Sequence, residues 1–153
     1  MRSAAKTDRP ATMKLYVESS AVLSWLFGER PGTDIRQILI EAELLVSSDL
    51  TLIECDRAMH RAVAIHALAE ADRTRLRSHL ATVARSWNIL HVTPEIVARA
   101  REPFPDDPIR TLDALHMASA LAGRGAVRDL KLLTLDERVR KVGKALGFDL
   151  VPV

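Results

Sequence analysis

Five short, largely apolar runs divide this chain, at residues 15–17, 44–46, 89–92, 130–135 and 150–151. Each is too short for a helix and sits near a turn or capping signal, which is how buried strands read. Longer segments with helical spacing lie between them. Strands that alternate with helices predict an α/β fold, with about five parallel strands covered by helices on both faces. In such sheets, sites form at the carboxyl ends of the strands.

The helical segments carry their own punctuation. Residues 20–27 are apolar behind a serine and stop near Gly28 and a Pro31-Gly32 turn. Residues 34–42, 50–68 and 70–87 repeat apolar side chains at three- and four-residue intervals. Thr93-Pro94-Glu95 is a helix start, with a capping threonine, proline at the first helical position and an acid in the first turn. Pro103, Pro105 and Pro108 break up the next connection. A helix is expected over 111–122, ended by Gly123 and Gly125, and another over 136–146, stopped by Gly147.

Composition narrows the functional classes. Aromatic residues make up only 4% of the chain, so aliphatic side chains must build the core. No apolar run approaches the roughly 20 residues of a membrane span. Residues 1–12 are polar and basic, without a secretory apolar segment. They read as a loose tail before a single domain over 13–153, with Met13 an alternative start and the cytoplasm the expected compartment. The lone Cys55 excludes an internal disulfide and a cysteine-based zinc site. The net charge of +2 permits a polyanionic partner without demanding one. Arginines and lysines crowd residues 57–61, 73–77 and 138–144, where solvated helix faces are the plainer explanation.

Four acids occupy suggestive positions. Glu18 follows the first strand, Glu54 lies about one turn into the helix after the second, Asp113 opens a helix, and Asp136 follows the fourth strand. Glu54 and Asp113 interrupt apolar sequence, where an unpaired carboxylate is costly to bury. Helix capping explains Asp113 or Asp136 taken singly. Taken together, converging carboxylates would repel one another unless a cation sat among them. Oxygen donors of this kind suit Mg²⁺ or Mn²⁺.

Several stretches resemble the PIN domain family. Leu15-Tyr16-Val17-Glu18-Ser19-Ser20-Ala21-Val22 resembles its opening, and Ser47-Ser48-Asp49-Leu50-Thr51-Leu52-Ile53-Glu54 its second motif. Arg110-Thr111-Leu112-Asp113-Ala114-Leu115-His116 resembles the diagnostic stretch of the toxin-like branch, and Leu133-Thr134-Leu135-Asp136 the fourth motif. The resemblance spans residues 14–153. It implies a metal-dependent endoribonuclease, the toxin of a VapBC-type toxin–antitoxin pair. Such a toxin would bind Mg²⁺ or Mn²⁺, cut RNA, form a homodimer and be silenced by a small VapB-like antitoxin. By position, Glu18, Glu54, Asp113 and Asp136 are the catalytic metal-site acids, and Ser20 and Thr134 the supporting hydroxyls. Arg57, Arg61 and Arg110 are candidate contacts for RNA or antitoxin.

One position departs from the family, whose first acid is nearly always Asp. Glu18 carries one more methylene, a displacement of about 1.5 Å. Mg²⁺ demands near-ideal octahedral geometry. A second function therefore stays open, a catalytically impaired PIN module that binds RNA or a protein partner. A nucleotide-binding domain finds no support, since neither G-x-G-x-x-G nor G-x-x-x-x-G-K-[ST] occurs. His116 could share a helix face with Asp113, but it reads more simply as a partly exposed packing residue. Cys55 reads as a small buried side chain.

Overall fold

The computed structural model describes residues 12–29 and 34–153. Its elements run β1 (Lys14–Val17), α1 (Ser19–Leu26), α2 (Ile35–Glu41), β2 (Leu44–Ser48), α3 (Asp49–Ala64), α4 (Glu70–Ala84), β3 (Asn88–Leu90), α5 (Pro94–Ala100), α6 (Thr111–Ala126), β4 (Lys131–Leu133), α7 (Glu137–Ala145) and β5 (Leu150–Val151). The strands form one sheet in the order β3-β2-β1-β4-β5. Every pairing is parallel. The Pro31-Gly32 turn and the expected tail, apart from Thr12, lie outside the described residues.

The two-residue period of β1 sorts its side chains between two cores. Leu15 and Val17 face α1 to α4, where Ala21, Val22, Leu39, Met59 and Leu80 are buried. Tyr16 points the other way, toward Met117 and Ala118 of α6 and Val139 and Val142 of α7. Full burial of each large apolar side chain contributes about 1.5–3 kcal/mol. Among the described residues, no helix is long and apolar enough to cross a membrane.

The sequence expectations fail where tertiary contact overrides a local signal. Gly123 and Gly125 do not end α6, which continues to Ala126. A Cβ on Gly123 would lie 3.0 Å from Leu130 and 3.6 Å from Leu90 and Val46, so the glycine lets the helix settle closely on the sheet. The third strand stops at Leu90, because His91 and Val92 are exposed beyond the sheet. The fourth narrows to Lys131–Leu133, the stretch that aligns with Leu15–Val17. The end of α7 is as expected: Gly147 takes φ +86°, which glycine adopts without a Cβ penalty.

β1 lies between β2 and β4, so the chain moves outward from β1 in one direction and returns to its other side. This reversal leaves a crevice beyond the carboxyl ends of β1 and β4.

Candidate functional site

Turns at the carboxyl edge of the sheet deliver the acids. Glu18 leaves β1 in extended conformation and caps α1, its side chain accepting from the Ser20 backbone N–H. Asp136 does the same for α7, accepting from the backbone N–H groups of Arg138 and Val139. Asp113 occupies the first turn of α6, but that helix has no side-chain cap and Arg110 is its capping residue. Capping therefore explains Asp136 and leaves Asp113 without that role. All three carboxylates sit at helix N-termini, where the helix dipole favours negative charge. Glu54 projects from α3 farther along that helix.

These residues share one cleft of about 410 Å³, lined by Glu18, Ser19, Ser20, Glu54, Arg110, Asp113, Asp136 and Arg138, with Leu23, Thr111 and Leu112. A larger groove of about 580 Å³ runs between α3 and α4, but Asp56 is its sole carboxylate. Four converging carboxylates therefore make the smaller cleft the candidate site. Two of these acids also meet a buried ring behind the cleft: ligand atoms of Glu18, Glu54 and His116 all lie within 4.8 Å of one another. Asp113 feels the crowding: burial first, then Asp136, with a smaller push from Glu18, holds its carboxyl above the ordinary Asp range. Arg138 partly offsets this, and it also pairs with Asp136 at 3.1 Å.

Glu18 is 4% exposed and thoroughly hydrogen-bonded. Its Oε1 accepts from the Ser19 hydroxyl at 2.6 Å. Its Oε2 accepts from Ser20 N at 3.1 Å, from the Ser20 hydroxyl, and from the Thr134 hydroxyl at 2.7 Å. Ser20 Oγ also accepts from Leu135 N at 2.8 Å, and Thr134 Oγ1 from Asp136 N at 3.2 Å. The two supporting hydroxyls thus tie α1 to the end of β4 through the Glu18 carboxylate.

Arg110 lines the cleft, whereas Arg57 and Arg61 are exposed on α3 and line no part of it. With a rise of 1.5 Å per residue, they stand about 4.5 and 10 Å farther along the helix than Glu54, away from the sheet edge. Cys55 is buried and its thiol is pushed up to about 12, first by burial and then by Glu54, so it is no nucleophile.

His116 corrects the sequence reading. It is 1% exposed, and its two ring nitrogens meet Glu54 Oε1 and, at 3.2 Å, the Tyr16 hydroxyl. Burial also raises the Tyr16 phenol above its ordinary range, keeping it protonated. The signal was present in the sequence: a polar ring inside Leu115-His116-Met117-Ala118 must find partners if that face is buried.

Comparison with known proteins bears on the family and the fold. The PIN domain family model matches residues 15–145. Ribonuclease VapC46 of Mycobacterium tuberculosis is 30% identical over 137 residues, covering 90% of this chain and 95% of the relative. Among solved structures, M. tuberculosis VapC20, described as a sarcin-ricin loop cleaving toxin, superposes with a TM-score of 0.62 at 14% identity, covering 89% of this chain and 97% of that one. A toxin–antitoxin complex from Klebsiella pneumoniae gives 0.57 at 19% identity, with 88% and 92% covered. With its sheet order, its edge-gathered acids and a family match over most of its length, this chain belongs to the PIN domain family.

Proposed function

We propose that this chain is a metal-dependent endoribonuclease, the toxin of a VapBC-type toxin–antitoxin pair. The observation that carries this reading is the convergence of Glu18, Glu54, Asp113 and Asp136 on one cleft at the carboxyl edge of the sheet. The donor set fits a hard divalent cation: every acid offers oxygen, and the Asp113 carboxyl, raised first by burial and then by Asp136, lies where a cation would relieve both costs. Mg²⁺ or Mn²⁺ held by these acids would polarise a phosphodiester and lower the pKa of a water. Ser20 and Thr134 keep Glu18 in place. Arg110 and Arg138 on the cleft wall suit the backbone phosphates of RNA. The names of relatives support the substrate and the partner, since VapC46 is called a ribonuclease and the Klebsiella structure is a toxin–antitoxin complex. A VapB-like antitoxin and a homodimer belong to the same reading.

One observation favours the alternative, a PIN module with impaired catalysis. Three donors already occupy Glu18 Oε2, which limits what this carboxylate can offer an ion. The deciding experiment is cleavage of a mixed RNA pool with Mg²⁺, with Mn²⁺ and with EDTA, against Asp113→Asn. Cutting that needs the metal and disappears in the variant is the expected result. A folded wild-type protein that cuts with neither ion refutes the nuclease reading in favour of the impaired module.

A further inference from the structure

His116 lies on the buried face of α6 with Ala114, Met117 and Ala118. A neutral imidazole has one donor and one acceptor. Here each nitrogen has a single partner: Nε2 faces Glu54 Oε1, and Nδ1 faces the Tyr16 hydroxyl at 3.2 Å. An ionised carboxylate only accepts, so the hydrogen belongs on Nε2, and Nδ1 accepts from the Tyr16 O–H. The rings meet edge-on with centroids 6.4 Å apart, which fixes the plane of the imidazole. Tyr16 lies on β1, two residues before Glu18. One chain of hydrogen bonds therefore joins β1, α6 and α3.

Glu54 needs this support. Its side chain is 28% exposed and ends a flexible stem. Among the described residues, His116 supplies the one hydrogen bond to its carboxylate, whereas Glu18 has four.

We infer that His116 is a positioning residue: set as the Nε2–H tautomer by Glu54 and anchored at Nδ1 by Tyr16, it holds the Glu54 carboxylate beside Glu18, so that the two present a preformed oxygen site to a divalent cation. The inference rests on the metal-dependent reading above. It assigns His116 an orienting role through its hydrogen bond, with oxygen atoms as the ligands. Partners of this kind are worth about 10–100-fold in metal affinity.

The test is Mn²⁺ binding to the full chain without RNA, by calorimetry and by pulsed electron paramagnetic resonance. Variants are His116→Leu, His116→Gln and Tyr16→Phe, each checked by circular dichroism in EDTA. His116→Leu should weaken Mn²⁺ about 10–100-fold. His116→Gln, which keeps an N–H able to reach Glu54, should restore most of that loss. Tyr16→Phe removes the hydroxyl that anchors Nδ1 and should weaken binding about threefold to tenfold. It also carries the test if His116→Leu does not fold. Unchanged affinity in a folded Tyr16→Phe and in His116→Leu overturns the inference and leaves the nuclease reading standing. A ¹⁴N coupling to Mn²⁺ in the wild type that vanishes in His116→Gln also overturns it, by making the imidazole a ligand. A wild type that binds no Mn²⁺ overturns the metal-dependent reading and this inference together.

Discussion

Replacing Glu18 with Asp separates two jobs that one carboxylate now does. Glu18 caps α1 through Ser20 N and straps α1 to β4 through Thr134. Each carboxylate oxygen has two lone-pair sites. Oε2 accepts from three donors and is saturated, while Oε1 accepts from Ser19 alone and keeps room for a cation. Asp is among the best capping residues, so the shorter side chain keeps the cap. It loses about 1.5 Å of reach, and with it the strap to Thr134. That hydroxyl is fully buried, but Ser20 Oγ lies 3.2 Å away and can accept from it. The net loss is that of a single hydrogen bond, about 1–2 kcal/mol. For a domain of this size that lowers the melting temperature by about 2–8 °C in EDTA. That oxygen then carries two donors in place of three, and the carboxylate, less polarised by hydrogen bonds, has more negative charge to offer an ion. If about 1.4 kcal/mol is recovered on binding, Mn²⁺ binds about tenfold more tightly. Thermal melts in EDTA and Mn²⁺ calorimetry on the same preparations measure both halves. An unchanged melt would show that the Thr134 bond contributes nothing. Equal or weaker Mn²⁺ binding would refute the argument that the third donor, Thr134, handicaps Glu18.

Asp113→Asn should melt higher than wild type in EDTA at pH 7. The Asp113 carboxyl is held above its ordinary range in the folded chain, so the native state keeps its proton to higher pH than the unfolded chain does. Its cost to stability is therefore absent below the unfolded value of about 3.9, grows above it, and is complete above the folded value. The advantage of the variant should close as pH falls toward 4, and a constant gap in a pH series of melts would contradict this. Saturating Mn²⁺ should reverse the order, because only the wild type gains from ligation. Arg110→Ala should raise KM for RNA severalfold and flatten its salt dependence while leaving Mn²⁺ affinity alone; a drop in kcat with no change in KM would argue against a phosphate contact. Gly143→Ala drives a Cβ into Leu132 Cδ2 on β4, a side chain that is itself fully buried. Overpacking of about 1–3 kcal/mol should outweigh the helix-propensity gain of about 1 kcal/mol, and urea titration should show a net loss of stability.

Much of this protein is local in origin. The two-residue period of residues 15–17 reappears as two cores on opposite faces of β1. Thr93 caps α5 with proline at its first turn, and Gly147 stops α7. Glu18 and Asp136 stand at the carboxyl edge because each directly follows a strand or its short extension. Such features depend on residues a few positions apart, and the backbone's few allowed conformations make them readable. What the period could not give was the order of the strands, or whether acids from four helices would meet. Those were decided by contacts across the chain: Glu54 and His116 are 62 residues apart, Tyr16 and His116 100, Glu18 and Thr134 116. Gly123 punctuates a helix in sequence and admits close packing in the fold. His116 likewise reads as a partly exposed packing residue until α6 is laid on β1, when burial obliges both its nitrogens to find partners. Local sequence sets which atoms each element can offer; only the packing of the elements decides which of those atoms share a site, because burial and charge act through space and not along the chain.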